Sequence, residues 1–200
     1  MKPIARVLLS LLLLATPVLA LEKQPASDYH ARRVHLSQTL NGGVAVLFAN
    51  EEPLTDFDPF RQDSDFYYLT GWTEPGAALL IQAPSGGDAL HPARGYREIL
   101  FLPTRNLRNE RYTGPKLDAA SPNVTHLTGI AEVQPMTALP SVLGSLIRAD
   151  RSLERNLWSE PDMPQARALS GWLATTLGMD TTPELRKVRT LTPALRAIKD

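Results

Sequence analysis

The residues with the most chemical potential in this chain crowd into positions 60 to 81, FRQDSDFYYLTGWTEPGAALLI. A cation, two carboxylates and several aromatic rings there lead into a Gly-Trp pair. A hard cation needs several oxygens at short range, and Asp63-Ser64-Asp65 begins like a calcium loop. Its sixth position is Tyr68 rather than glycine. Glu74 does fall at the twelfth, but Phe66, Tyr67, Tyr68 and Leu69 leave too few oxygens between. Helix capping and an Arg61–carboxylate pairing account for the charges better. The four histidines give no metal set: His30 and His35 are five apart, off a common helical face, and His91 and His126 lie in separate loops. With no cysteine, a thiolate zinc site and a thiol nucleophile are excluded. There is no His-Glu-x-x-His and no Gly-x-Ser-x-Gly, and PSGG at 84–87 lacks the lysine and spacing of a phosphate loop. Paired carboxylates can be drawn from so many Asp and Glu residues that they select nothing.

The elements that must position this segment follow from periodicity and breakers. Ser27 or Asp28 is expected to cap a helix, DYHARRVHLSQTL, that stops at Asn41-Gly42-Gly43. VAVLFA, AALLIQA and REILFLP read as buried strands. Between the first two lie a polar loop over 50–65, holding Asp56 and Asp58, and a short helix from Ser64 as cap to Gly71 as stop. A turn at Glu74-Pro75 then feeds the second strand. Downstream the sequence predicts a short helix closed by Gly114, another at KLDAA (116–120), a strand at AEVQPM and a helix capped by Thr137. A strand near SLERNLWSE follows, then a helix over 162–178 whose Leu169, Trp172, Leu173 and Leu177 form a core stripe. Thr192 as N-cap with Pro193 in the first turn is the strongest helix start in the chain. That helix reads into Asp200 without a stop signal, so the expectation is a chain continuing toward a further domain. Alternating strands and helices with a hairpin-like 76–103 pair imply an α/β domain with a mixed sheet flanked by helices.

Composition sets the compartment. Residues 1–20 combine Lys2 and Arg6 with a short apolar run and small residues at Val18-Leu19-Ala20, the pattern of a secretory signal peptide. Thr16-Pro17 ends the run too soon for a membrane span. The expectation is an exported protein, periplasmic or secreted, with no membrane attachment after cleavage. Losing Lys2 and Arg6 leaves a net charge of −2, and there is no basic stripe, which argues against a nucleic-acid partner. Residues 21–27 read as a leader, 28–185 as the domain and 186–200 as a linker with the start of a helix.

The opening segment closely resembles the signature of the aminopeptidase P N-terminal domain, from the Xaa-Pro aminopeptidases related to prolidase and creatinase. Phe60, Arg61, Gln62, Ser64, Phe66, Tyr68, Thr70, Gly71, Trp72, Glu74 and Pro75 match it, and Asp63 and Asp65 are counted with these as structural residues. A second element, Glu-x-Trp-x-Gly-(Arg/Lys), is met by Glu110, Tyr112 and Gly114, with Pro115 inserted before Lys116 and Tyr in place of Trp. A third, the interdomain helix, is met by Leu195, Arg196, Ile198 and Lys199. The resemblance spans roughly residues 28 to 200.

It implies a two-domain enzyme. A separate C-terminal domain would hold two divalent metals, usually manganese, and cleave the bond before a proline at position two. No metal ligand and no catalytic residue is assigned to these 200 residues, and the chain alone is expected to be inactive. The implied partners are its own catalytic domain, further copies in a homo-oligomer and proline-containing peptides. The implied role is assembly and shaping of the substrate pocket, with Tyr112 the candidate to reach a neighbouring subunit's pocket. The alternative is that Tyr112 is a half-buried loop aromatic. A free-standing binding or assembly module and a prolidase- or creatinase-like hydrolase are the competing functions.

Overall fold

The computed structural model describes residues 24–53, 59–89, 91–160, 162–178 and 189–199. The expected signal peptide, the start of the leader, Asp56, Asp58, the end of the expected domain over 179–185 and Asp200 lie outside them.

Among the described residues six strands form one mixed sheet in the order β4-β3-β2-β1-β5-β6. β1 (Val44–Phe48), β2 (Ala78–Gln82) and β3 (Arg97–Leu102) pair antiparallel in succession, with Val46 opposite Leu80 and Leu80 opposite Ile99. β4 (Val133–Pro135) runs parallel to β3 at one edge. β5 (Leu157–Ser159) runs parallel to β1, and β6 (Arg189–Thr190) parallel to β5. The expected α/β class, mixed sheet and 76–103 hairpin are all present.

The continuous apolar runs have a two-sided cause. Successive strand residues point to opposite faces, and here each face has its own core. Ala45, Leu47, Leu79, Ile81, Leu100 and Leu102 point into one; Val44, Val46, Phe48, Leu80, Ile99 and Phe101 point into the other. Each such large side chain, fully buried, contributes roughly 1.5–3 kcal/mol. The first face is covered by α1 (Ala26–Thr39), α2 (Ser64–Thr70) and α7 (Thr192–Lys199), and the second by α5 (Leu139–Ala149) and α6 (Pro164–Leu177). Two short helices, α3 (Glu110–Thr113) and α4 (Val124–Thr128), complete the chain order between β3 and β4.

Several local expectations are corrected. α1 starts at Ala26 after Pro25 with no side-chain cap; Ser27 and Asp28 lie inside its first turn, where an acid still meets the positive end of the helix dipole. Thr137 sits in a 3-10 turn, Met136–Ala138, that leads into α5 without a side-chain cap. KLDAA is a turn rather than a helix. Asp118 Oδ1 accepts the Ala120 N–H at 3.1 Å, and Ser121 Oγ accepts the Asp118 N–H at 3.0 Å. Such local side-chain bonds compete with helix formation. α7 begins one residue earlier than expected: the Leu191 carbonyl accepts the Leu195 N–H at 2.9 Å, and Thr192 is already helical.

Candidate functional site

The signature segment is built around α2. Asp63, in extended backbone, turns its carboxylate onto the helix start. Oδ1 accepts the N–H groups of Asp65 at 3.0 Å and Phe66 at 2.8 Å. The cap is therefore Asp63, and Ser64, the expected cap, is the exposed first helical residue. Phe66, Leu69 and Thr70 face the core. Gly71 ends the helix at φ +62°, and its N–H bonds to the Tyr67 carbonyl at 2.7 Å. Thr70 Oγ1 donates to the Phe66 carbonyl and accepts the Trp72 N–H.

Gln62 holds the surrounding loops. Its Oε1 accepts from the N–H groups of Asn50 (3.0 Å) and Asp63 (2.9 Å), and its Nε2 donates to the Glu74 carbonyl at 2.9 Å. One amide thus joins the end of β1, the start of α2 and the turn at Glu74-Pro75 that feeds β2. Arg61 pairs with neither Asp63 nor Asp65, and Asp56 and Asp58 lie outside the described residues. Arg61 is exposed, has no ion pair among the described residues, and contributes its backbone carbonyl to Asn50 Nδ2. Asp65 pairs instead with Lys199 of α7.

The first two motif elements meet at one cleft of about 230 Å³, where Glu74 and Pro75 face Glu110 and Lys116, with Glu51 and Arg105 on the walls. Arg105 grips Glu110 in a bidentate pair, Nε to Oε1 at 2.9 Å and Nη2 to Oε2 at 2.6 Å. Those bonds hold the Glu110 carboxyl below its usual range. Burial pushes Glu74 up; Lys116 opposes that rise and Glu110 adds to it. The cleft thus joins a fixed anion to a carboxyl that protonates more readily, an arrangement suited to binding polar groups. Gly114 closes α3 as expected, its N–H bonding to the Glu110 carbonyl. Tyr112 is not among the residues lining the cleft and is 89% exposed, so the ring is not half-buried.

A buried polar network has no counterpart in the sequence motifs. Arg33 is fully buried, and its guanidinium holds Glu98 at the start of β3, Nε to Oε2 at 2.7 Å and Nη2 to Oε1 at 3.1 Å. The same group donates to the carbonyls of Leu69 (2.8 Å) and Gly129 (3.3 Å). Tyr96 donates its hydroxyl to Glu98, and His30 Nδ1 lies 3.2 Å from it. Burial alone would raise Glu98, but bonds from Arg33 and Tyr96 outweigh it and leave the carboxyl below its usual value. Burial and the bond to Glu98 push the Tyr96 hydroxyl up. The network ties α1, the end of α2, β3 and the end of α4 together. Arg33 stands among apolar residues on α1, which was a signal; its partner 65 residues away had none.

His91 bonds Asp88, while His35 and His126 are exposed. Among the described residues no three of His, Asp and Glu converge on a point where a metal ion could sit. Leu169 and Leu173 enter the core as expected; Trp172 is partly buried and lines a second, apolar cleft of about 330 Å³ with Phe48, Met136 and Leu139.

Residues 29–158 match the family model described as "Aminopeptidase P, N-terminal domain". The Xaa-Pro aminopeptidase of Haemophilus influenzae is 31% identical over 146 residues, covering 69% of this chain and 32% of the relative. Mouse Xaa-Pro aminopeptidase 3 is 28% identical over 151 residues, covering 76% of this chain and 28% of the relative. The chain therefore spans about a third or less of these relatives' length. Among solved structures, a variant of Escherichia coli aminopeptidase P superposes with a TM-score of 0.64 at 22% identity, over 87% of this chain and 38% of that one. Proline aminopeptidase P II from Yersinia pestis gives 0.62 at 23% identity, over 86% and 38%. At these identities the structural likeness establishes the fold.

Proposed function

This chain belongs to the aminopeptidase P N-terminal domain family, and from that membership we infer that it is the non-catalytic domain of an exported Xaa-Pro metalloaminopeptidase. Such an enzyme removes the N-terminal residue of peptides with proline second. The observation that carries the reading is the family match over residues 29–158, and the chain spans about a third or less of the relatives' length. Export rests on residues 1–20, and no helix among the described residues is long and apolar enough to cross a membrane.

The hydrolysis would draw on two divalent cations, expected to be manganese, held by a separate domain. The described residues here do not fit such a pair, since their His, Asp and Glu side chains do not converge. No chemical step is assigned to them. What supports a role in assembly and pocket shaping is the cleft built from both motif elements, with the exposed ring of Tyr112 beside it on α3. The purified chain, incubated with a tripeptide carrying proline second and added manganese, is expected to release no N-terminal residue above the buffer control. Robust hydrolysis abolished by a chelator would overturn the non-catalytic assignment.

A further inference from the structure

Where α7 lies against the signature segment, its position is set by directional bonds as well as by apolar contact. Ala194, Leu195 and Ile198 give it one buried face, packed on α1 and the rest of the first core. A helix of eight residues is marginal by itself, and three apolar side chains tolerate a sliding or rotating partner. The C-terminal end carries more specific contacts. Tyr68 donates its hydroxyl to the Ile198 carbonyl at 3.1 Å. Lys199 pairs with Asp65, and its ammonium lies 5.2 Å from the centre of the Tyr68 ring. Arg32 of α1 bonds the Tyr68 carbonyl at 2.9 Å and sets its guanidinium 4.3 Å from the same ring centre. Tyr68 is thus held by α1 and in turn holds α7. At the other end, Thr192 Oγ1 donates to Glu160 Oε2 at 3.2 Å and the Leu191 N–H meets the Ser159 carbonyl.

We propose that Asp65 and Tyr68 form an orienting clamp that fixes the register and axis of α7 against the signature helix α2. The clamp explains the polar edge of α2. Two signature positions, one turn apart in a seven-residue helix, recognise the last turn of a helix 130 and 134 residues downstream of them. This role goes beyond the enzymatic reading and does not depend on it.

Amide hydrogen exchange on the whole chain tests the clamp. Y68F keeps the ring and deletes only the hydroxyl. It is expected to speed exchange of the α7 amides about fivefold, the scale of one net hydrogen bond, while β1–β3 amides keep their protection. D65N and K199Q should each speed α7 exchange, and the double variant should be no faster than the faster single, because both remove the same contact. The cycle also cancels the loss that D65N incurs at the start of α2. Unchanged α7 exchange in Y68F would overturn the proposal. So would D65N and K199Q effects that multiply, or α7 and sheet amides that accelerate together.

Discussion

Replacing Arg33 with methionine is expected to cost about 3–5 kcal/mol, the usual result of breaking a buried ion pair from one side. For a domain of this size that is a fall in Tm of roughly 6–20 °C. The reason is the Glu98 carboxylate, whose side chain is 8% exposed and would keep its charge without its main partner. Two further acceptors, the carbonyls of Leu69 and Gly129, would lose the same donor. R33M/E98L should therefore be more stable than R33M, since it removes the uncompensated charge, yet less stable than the parent, since those carbonyls and the Tyr96 hydroxyl stay unpaired. A double variant no better than R33M would show that the pair's charge is not what matters.

The pH dependence of the same variants carries a definite sign. Glu98 titrates below its usual range in the folded chain. Its contribution is fully present above the unfolded-state value of about 4.3 and is lost as pH falls through the lower folded value. In R33M burial acts without the guanidinium, so the folded value rises above the unfolded one. The carboxylate then destabilises at neutral pH and stops doing so once protonated. The stability gap between parent and R33M, read from urea midpoints, should be smaller at pH 4 than at pH 7. A gap that widens on acidification would reverse the assignment.

How far this was legible depended on the range of each interaction. The three long strands stood out because both sheet faces are covered, so every position had to be apolar, as in VAVLFA. The order β4-β3-β2-β1-β5-β6 was not written in any local pattern, because parallel partners such as Val44 and Leu157 are joined only through the fold. Helix starts were placed within a residue or two but credited to the wrong side chain. Asp63 and Ser64 are both good caps, and backbone conformation, which places Asp63 outside the helix, chooses between them. Arg61 looked like the ion-pair donor because it lies beside carboxylates in sequence; the cation that reaches Asp65 is Lys199. The signature identified the family, and its site, a cleft shared with Glu110, required the folded chain.

Gly71→Ala is the second substitution expected to be severe, at about 2–4 kcal/mol once the entropy that alanine removes from the unfolded chain is counted. Two costs add. The backbone sits at φ +62°, where a Cβ costs roughly 1–2 kcal/mol. A Cβ there would also lie 2.5 Å from Cζ of Tyr29, a ring that is 3% exposed and cannot swing clear without opening the core, a clash worth roughly 1–3 kcal/mol. Gly178 separates the two costs. It ends α6 at nearly the same φ, +63°, but a Cβ there meets nothing within 4 Å among the described residues. Gly178→Ala should cost only about 1 kcal/mol, the backbone penalty less the entropy that alanine removes from the unfolded chain. The difference between the two substitutions then measures the contact with Tyr29. Adding Tyr29→Ala to the Gly71→Ala chain should make the pair less damaging than the sum of the singles by at least about 1 kcal/mol. If Gly71→Ala and Gly178→Ala cost the same in thermal or urea unfolding, the close packing of Tyr29 on the helix stop has no energetic weight, and the signature glycine serves backbone conformation alone.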